Sequence, residues 1–121
     1  MKTLLFVEDD ELMIRFFGRL FRLNDYSVVM SPNGEDGLSK ARELKPDLIF
    51  LDIMMPKMNG IEVLTELRSD PETKDLRVIM LTNLGETSVM GKAKELGVAD
   101  YLIKSDISEK DLLSIVKKYL G

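Results

Sequence analysis

The sequence predicts a doubly wound α/β domain, in which helices cover both faces of one five-stranded parallel sheet. Five short apolar runs recur along the chain, and helical segments alternate with them. The runs are continuous rather than alternating, which is typical of strands that are buried on both faces. The predicted strands cover residues 3–7, 26–30, 47–51, 77–81 and 100–103.

Helical spacing of apolar residues fills the segments between these strands. The first helix is predicted over 12–23, the second over 34–44, the third from Asn59, the fourth over 87–96 with Gly97 as its cap, and the fifth from Ser108. Asn59 with Glu62, and Ser108 with Asp111, have the spacing of capping boxes. In the first helix the apolar side chains spread over a wide arc, and Arg15, Gly18, Arg19 and Arg22 are predicted on the opposite side.

Composition limits the classes of function. The net charge is −4 and the pI is near 4.9, which argues against binding to a nucleic-acid backbone. There is no cysteine and no histidine, so thiolate chemistry and the commonest transition-metal ligands are excluded. No apolar run has the length of a signal peptide or a membrane span, so we expect a single cytoplasmic domain over residues 1–121 with no membrane insertion.

Polar side chains follow four of the five predicted strands. Glu8 and Asp9 follow the first strand and Asp52 the third, while Thr82 and Lys104 follow the fourth and fifth. The second strand ends in Ser-Pro-Asn-Gly, which resembles a plain turn. Because parallel strands end at the same edge of a sheet, and ligands bind at that edge, we expect these polar groups to share one pocket.

The predicted pocket would hold a hard divalent cation. Two carboxylates about 4 Å apart repel by roughly 4 kcal/mol at an effective dielectric constant near 20, and a cation offsets that repulsion. Carboxylate ligands without histidine or cysteine favour Mg²⁺. A carboxylate beside Mg²⁺, a hydroxyl and a lysine are the parts needed for phosphoryl transfer, with Asp52 as the group that accepts the phosphoryl. The simpler interpretation is that Asp52 only caps the turn that follows it.

From residue 3 to about residue 120, the chain resembles a response-regulator receiver domain, the phosphoacceptor module of two-component signalling. The resemblance depends on four motifs in the family's order and spacing: FVEDDE, LIFLDIMMPKMNG, VIMLTN and DYLIKS. It implies a (βα)5 flavodoxin-like fold with strand order 2-1-3-4-5. It also implies that the domain is not an enzyme beyond its own phosphotransfer and dephosphorylation.

The same resemblance assigns roles by position. Asp52 is implied to be the phosphoacceptor, and the implied Mg²⁺ ligands are Asp9 directly, Glu8 mostly through water, Asp52, and the backbone carbonyl of Met54. The implied partner of the phosphoryl group is the hydroxyl of Thr82, together with the ammonium of Lys104. Tyr101 is implied to be an aromatic switch residue that turns inward with Thr82, although a half-buried strand tyrosine is an alternative explanation.

We therefore expect a free-standing receiver that takes its phosphoryl group from a phosphohistidine on a sensor histidine kinase or a histidine phosphotransfer protein. Its output would pass to a partner protein through the surface around Tyr101 and the fourth and fifth helices. Two other classes stay open: a receiver-like scaffold that is never phosphorylated, and an enzyme such as a Mg²⁺-dependent phosphatase or a flavodoxin-like redox protein.

Two departures from the receiver pattern bear on the site. Receiver domains usually have proline after the lysine, but Ser105 stands there, so the Lys104–Ser105 bond is either strained cis or rearranged trans. After the threonine the family commonly has a small residue, and here it is Asn83, which is expected to crowd or hydrogen-bond near the phosphate. The wide apolar arc of the first helix is either a partly exposed docking surface or a wrapping of the sheet edge.

Overall fold

A computed structural model describes residues 1–121 as a parallel sheet with strand order β2-β1-β3-β4-β5. The predicted doubly wound fold and its strand order are confirmed. The strands are β1 (Thr3–Val7), β2 (Ser27–Ser31), β3 (Leu48–Leu51), β4 (Val78–Thr82) and β5 (Asp100–Ile103). Relative to the predictions, β2 and β4 are each displaced by one residue, so that Thr82 is the last residue of its strand rather than the residue after it.

Five helices connect and follow these strands: α1 (Glu11–Leu23), α2 (Gly34–Leu44), α3 (Gly60–Ser69), α4 (Thr87–Glu95) and α5 (Glu109–Leu120). A short 3₁₀ turn (Lys104–Asp106) separates β5 from α5. Both predicted capping boxes are present, at Asn59–Glu62 and Ser108–Asp111. Gly97 follows the end of α4 with φ +75°, a conformation that glycine adopts without strain.

The sheet is buried on both faces, as its continuous apolar strands predict. One face packs against α2, α3 and α4 through a cluster that includes Val7, Leu51 and Leu64. The other face packs against α1 and α5, where the rings of Phe6 and Phe50 stack with centroids 4.5 Å apart. Alternate residues of each strand thus supply two separate cores, and the rigid sheet fixes where every strand ends.

Helix α1 buries only part of its wide apolar arc. Phe17 and Phe21 pack on the sheet, whereas Leu12, Phe16 and Leu23 are exposed. Gly18 lies on the side of the helix that carries Arg22, as predicted, and it is nonetheless buried. The guanidinium of Arg22 covers it, and a Cβ atom at Gly18 would lie 2.9 Å from Arg22 Nη1.

Helix α4 is held unequally at its two ends. Its N-cap residue, Glu86, makes no side-chain capping bond. At the other end, Arg68 of α3 donates from Nε to the Leu96 carbonyl at 2.7 Å and from Nη2 to the Gly97 carbonyl at 3.2 Å. The same guanidinium bonds the carbonyls of Lys74 and Leu76. Arg68 therefore fastens α3, the following loop and the end of α4 together.

None of the helices combines the length and the apolar character that a membrane crossing requires.

The start of α3 packs directly against the residue that follows β3. A Cβ atom on Gly60 would lie 2.3 Å from the backbone oxygen of Asp52. We therefore expect Gly60→Ala to lower the free energy of unfolding by about 1–3 kcal/mol, the usual cost of overpacking, and to displace Asp52. Urea denaturation followed by circular dichroism measures the change.

Gly91 is the matched control for this substitution, because a Cβ atom there would meet nothing within 4 Å. It lies inside α4, so Gly91→Ala should raise the free energy of unfolding by about 0.5–1 kcal/mol. The two alanine variants should change stability in opposite directions. Equal effects would contradict the close packing of α3 on Asp52.

Candidate functional site

Three carboxylates meet at the carboxyl edge of the sheet. The register of β1 and β3 pairs Val7 with Leu51, which brings the next residues, Glu8 and Asp52, side by side. One carboxylate oxygen from each of Glu8, Asp9 and Asp52 lies within 4.8 Å of the others. Glu8 and Asp52 are only 2% and 5% exposed, while Asp9 faces solvent. The predicted acidic pocket is therefore present.

Lys104 extends into this pocket from the turn that follows β5. Its Nζ lies 2.9 Å from Asp52 Oδ2 and also forms an ion pair with Glu8 Oε1. All three side chains are buried, with exposures of 8% or less. Burial acts to lower the pKa of Lys104, but its hydrogen bonds to Glu8 and Asp52 and the negative charges of these residues together outweigh burial and raise the pKa. The ammonium group is therefore held in its charged form.

The Glu8 carboxylate has more hydrogen-bond partners than the sequence indicated. Its Oε2 accepts hydrogen bonds from the backbone amides of Asp9 and Asp10, at 3.1 Å and 3.2 Å, while its other oxygen pairs with Lys104. Burial raises the pKa of Glu8, and the bond from Lys104 offsets this only in part. The loop after β1 thus folds around the Glu8 carboxylate and leaves Asp9 turned to solvent.

Asp52 is oriented by its backbone and by both carboxylate oxygens. Its amide donates to the Val7 carbonyl at 3.1 Å, which extends the pairing of β1 and β3 by one residue. Oδ1 accepts from the Met54 amide at 3.2 Å, and Oδ2 accepts from Lys104. A carboxylate at the end of an apolar strand is thus stabilised by one charged and one backbone donor.

Thr82 and Tyr101 are linked through the backbone of Leu84. The amide of Leu84 donates to Thr82 Oγ1 at 3.3 Å, and the hydroxyl of Tyr101 donates to the Leu84 carbonyl. Thr82 is fully buried and Tyr101 is half-buried. Burial raises the pKa of Tyr101, as do the charges of Asp52 and Glu86, so its hydroxyl is a donor at neutral pH. Both residues are thereby connected to the loop between β4 and α4.

The Lys104–Ser105 peptide bond is trans, which resolves the alternative that the sequence left open. The Asn83 side chain bonds to protein in this structure: its Oδ1 accepts from the Ser105 amide at 3.0 Å.

The segment after β2 is more than the plain turn that the sequence suggested. The hydroxyl of the buried Ser31 donates to Asp36 Oδ2 at 2.7 Å, and Lys40 binds the same carboxylate oxygen at 2.8 Å. The Asn33 side chain caps α2. This network fastens α2 to β2, and the Ser31 carbonyl accepts from the Glu8 amide at 2.9 Å. It supports the loop that carries Glu8 without entering the acidic pocket.

The residues fit a hard divalent cation. Three carboxylate oxygens within 4.8 Å of one another, with no histidine or cysteine among the possible donors, form a ligand set for Mg²⁺ rather than for a transition metal. The exposed position of Asp9 leaves one side of this group of oxygens open to solvent. Such access suits Mg²⁺, which retains several of its water ligands.

A doubly wound sheet of order 2-1-3-4-5 with an acidic pocket at its carboxyl edge defines the fold class of the chemotaxis-type receivers. Comparison with solved structures agrees. The chemotaxis protein CheY4 of Vibrio cholerae has a TM-score of 0.90 and 25% identity, with 99% of both chains covered. The Mn²⁺-bound form of response regulator Rcp1 has a TM-score of 0.82 and 29% identity, covering 98% of this chain and 91% of that one.

Sequence comparisons give the family. The model of the response regulator receiver domain matches residues 4–117. The polar-differentiation response regulator DivK of Brucella anthropi is 33% identical over 120 residues, which are 99% of this chain and 97% of that protein. The chain therefore belongs to the response regulator receiver domain family of two-component systems, and the resemblance found in the sequence is confirmed. Membership sets aside the phosphatase and the flavodoxin-like redox protein.

Proposed function

We propose that this receiver accepts a phosphoryl group onto Asp52 from a phosphohistidine on a sensor histidine kinase or a histidine phosphotransfer protein, with Mg²⁺ as cofactor. The observation that supports this most is the placement of Asp52. Its buried carboxylate contacts the ammonium of Lys104 and lies in a cluster with the carboxylates of Glu8 and Asp9 at the carboxyl edge of the sheet. These 121 residues contain no histidine, so the phosphohistidine donor lies outside them.

In the proposed reaction, a carboxylate oxygen of Asp52 forms a bond to phosphorus. The bond from phosphorus to the imidazole nitrogen of the donor breaks, and its electron pair stays on that nitrogen. The ammonium of Lys104, which lies 2.9 Å from Asp52 Oδ2, binds a phosphoryl oxygen, and the hydroxyl of Thr82 donates a hydrogen bond to another phosphoryl oxygen. The product is an acyl phosphate on Asp52.

We assign the metal ligands to Asp9 directly, Glu8 mostly through water, Asp52, and the backbone carbonyl of Met54. When bound, Mg²⁺ would neutralise charge on the phosphoryl oxygens during transfer. Support comes from the three clustered carboxylates and from the similarity to a receiver solved in a Mn²⁺-bound form. In this assignment the Glu8 carboxylate would accept hydrogen bonds both from a water bound to the ion and from the Lys104 ammonium.

The signal is proposed to leave through Thr82 and Tyr101. Leu84 contacts both through its backbone, so a shift of Thr82 towards the phosphoryl group also moves the acceptor of the Tyr101 hydroxyl.

A groove of about 520 Å³ lies beside this link, between α4 and β5, and Met90, Lys94 and Tyr101 line it. We propose this face for the output partner, and α1 with its exposed Leu12 and Phe16 for the phosphodonor.

The partners are thus proteins rather than nucleic acid, in keeping with the net charge of −4, and the proposed location is the cytoplasm.

The test of this function is phosphorylation by a small donor. With Mg²⁺ and acetyl phosphate, the protein should gain the mass of one phosphoryl group as acetate leaves, and a chelator should prevent the gain. Beryllofluoride with Mg²⁺ should shift the amide resonances near Thr82 and Tyr101. A protein that gains no mass and shows no shifts would instead be a receiver-like scaffold.

A further inference from the structure

The 3₁₀ turn that begins at Lys104 receives its cap from a different strand. The first amides of a helical turn have no acceptor within the turn, and Ile103, which precedes it, offers no side-chain cap. The Ser105 amide is one of these unpaired donors. Its acceptor is Oδ1 of Asn83, 3.0 Å away, at the end of β4.

This bond joins the two loops that carry groups of the site. The β4–β5 register pairs Thr82 with Ile103, and this is the last residue pair of the two strands. Asn83 directly follows Thr82, and Ser105 directly follows Lys104. The side-chain bond therefore continues the connection between β4 and β5 beyond the end of the sheet.

The hydrogen bond between Asn83 and Ser105 requires a particular type of residue at each of the two positions. A proline at position 105 has no amide hydrogen to donate, and it disfavours the helical conformation of the residue before it, Lys104. An alanine at position 83 has no side-chain oxygen to accept the bond. Asn83 and Ser105 are the two positions at which this chain departs from the usual receiver pattern, and the structure places them in contact.

We propose that Asn83 is a positioning residue for phosphoryl transfer: by capping the Ser105 amide it fixes the turn that places the Lys104 ammonium at Asp52. This inference rests on the proposed function. Lys104 extends from a turn at the surface into a pocket where its Nζ meets two buried carboxylates. A turn free to rearrange would spread that ammonium over several positions and weaken its match to the phosphoryl oxygens.

The test is a double-mutant cycle of Asn83→Ala and Ser105→Pro, read as the rate of phosphorylation by acetyl phosphate at saturating Mg²⁺. Asn83→Ala should lower the maximal rate roughly 2- to 10-fold, the range for loss of one hydrogen bond, and leave the half-saturating donor concentration unchanged. In the Ser105→Pro background, which lacks the donor, Asn83→Ala should have no further effect.

Two further measurements separate positioning from general loss of stability. Exchange of the Ser105 amide with solvent should accelerate in Asn83→Ala, while urea denaturation should detect little change because both residues are exposed. The matched control is Asn24→Ala, which removes an exposed amide bonded to the Leu20 carbonyl at the end of α1 and should leave the rate unchanged.

The possible outcomes distinguish the positioning role of Asn83 from the proposed phosphoacceptor function on which it rests. If the wild type is phosphorylated and Asn83→Ala equals it in maximal rate, the positioning role is wrong and the proposed function stands. Equal losses from Asn83→Ala in both backgrounds would also overturn the positioning role, since the effect would not pass through the Ser105 amide. A wild type that gains no phosphoryl group overturns both.

Discussion

Replacing Asp52 with asparagine should abolish phosphorylation by acetyl phosphate while the fold stays intact. The amide lacks the anionic oxygen that is proposed to attack phosphorus, and no other carboxylate is placed both against Lys104 and at the end of β3. Asparagine has nearly the same shape, and Lys104 keeps its ion pair with Glu8, so the cost in stability should be small. Intact mass spectrometry measures the phosphoryl group, and circular dichroism measures the fold.

Asp106→Asn is the matched control. Asp106 is an exposed aspartate two residues after Lys104 that lies outside the acidic cluster. This variant should gain a phosphoryl group as the wild type does. A gain of mass in Asp52→Asn, or its loss in Asp106→Asn, would show that the acceptor is a different carboxylate.

Lys104→Ala should cost about 3–5 kcal/mol of unfolding free energy in the absence of divalent ions, the usual loss when one partner of a buried ion pair is removed. The variant leaves the buried carboxylates of Glu8 and Asp52 beside each other without a cation. Urea denaturation at neutral pH with a chelator present measures this loss. Under the proposed function, phosphorylation of the variant should fall as well, because the ammonium that would bind the phosphoryl oxygens is absent.

The lost stability should return with acid. Glu8 has a raised pKa through burial, so the folded state binds its proton more readily than the unfolded chain does. The free energy of unfolding of the Lys104→Ala variant should therefore rise as the pH is lowered from neutral towards the ordinary glutamate pKa, because Glu8 takes up a proton over this range. Millimolar Mg²⁺ at neutral pH should also restore part of it, because the ion binds only the folded state.

Lys110→Ala provides the comparison, since Lys110 is an exposed lysine in the first turn of α5. Its effect should stay within about 0.5 kcal/mol at every pH. A Lys104→Ala variant with equally small changes would show that the buried cluster is not held together by charge.

Local rules were sufficient to predict the alternating strands and helices of a doubly wound sheet and the edge where the polar groups meet, whereas the strand order came from the resemblance to receiver domains. Continuous apolar runs located the strands because both faces of each are buried, and the capping boxes fixed the starts of α3 and α5. The positions of Glu8 and Asp52 follow from strand register alone. These features depend on residues that are close in sequence or on the regular pairing of strands.

Contacts between long side chains and distant loops could not be predicted in this way. The covering of Gly18 by Arg22 depends on the direction of one flexible arginine, and the pairing of Lys104 with Glu8 depends on a lysine that crosses the pocket. The bond between Asn83 and Ser105 joins two irregular segments, for which periodicity carries no information. The unusual residues at these positions were visible in the sequence, but their contact was not.

The unequal fastening of α4 determines how that helix can move. Arg68 anchors its C-terminal end to the body of the domain, whereas its N-terminal end has no side-chain cap and adjoins the loop of Leu84. Under the proposed function, a shift near Thr82 would therefore tilt α4 about its C-terminal end, and the displacement would grow along the helix axis towards its first turn.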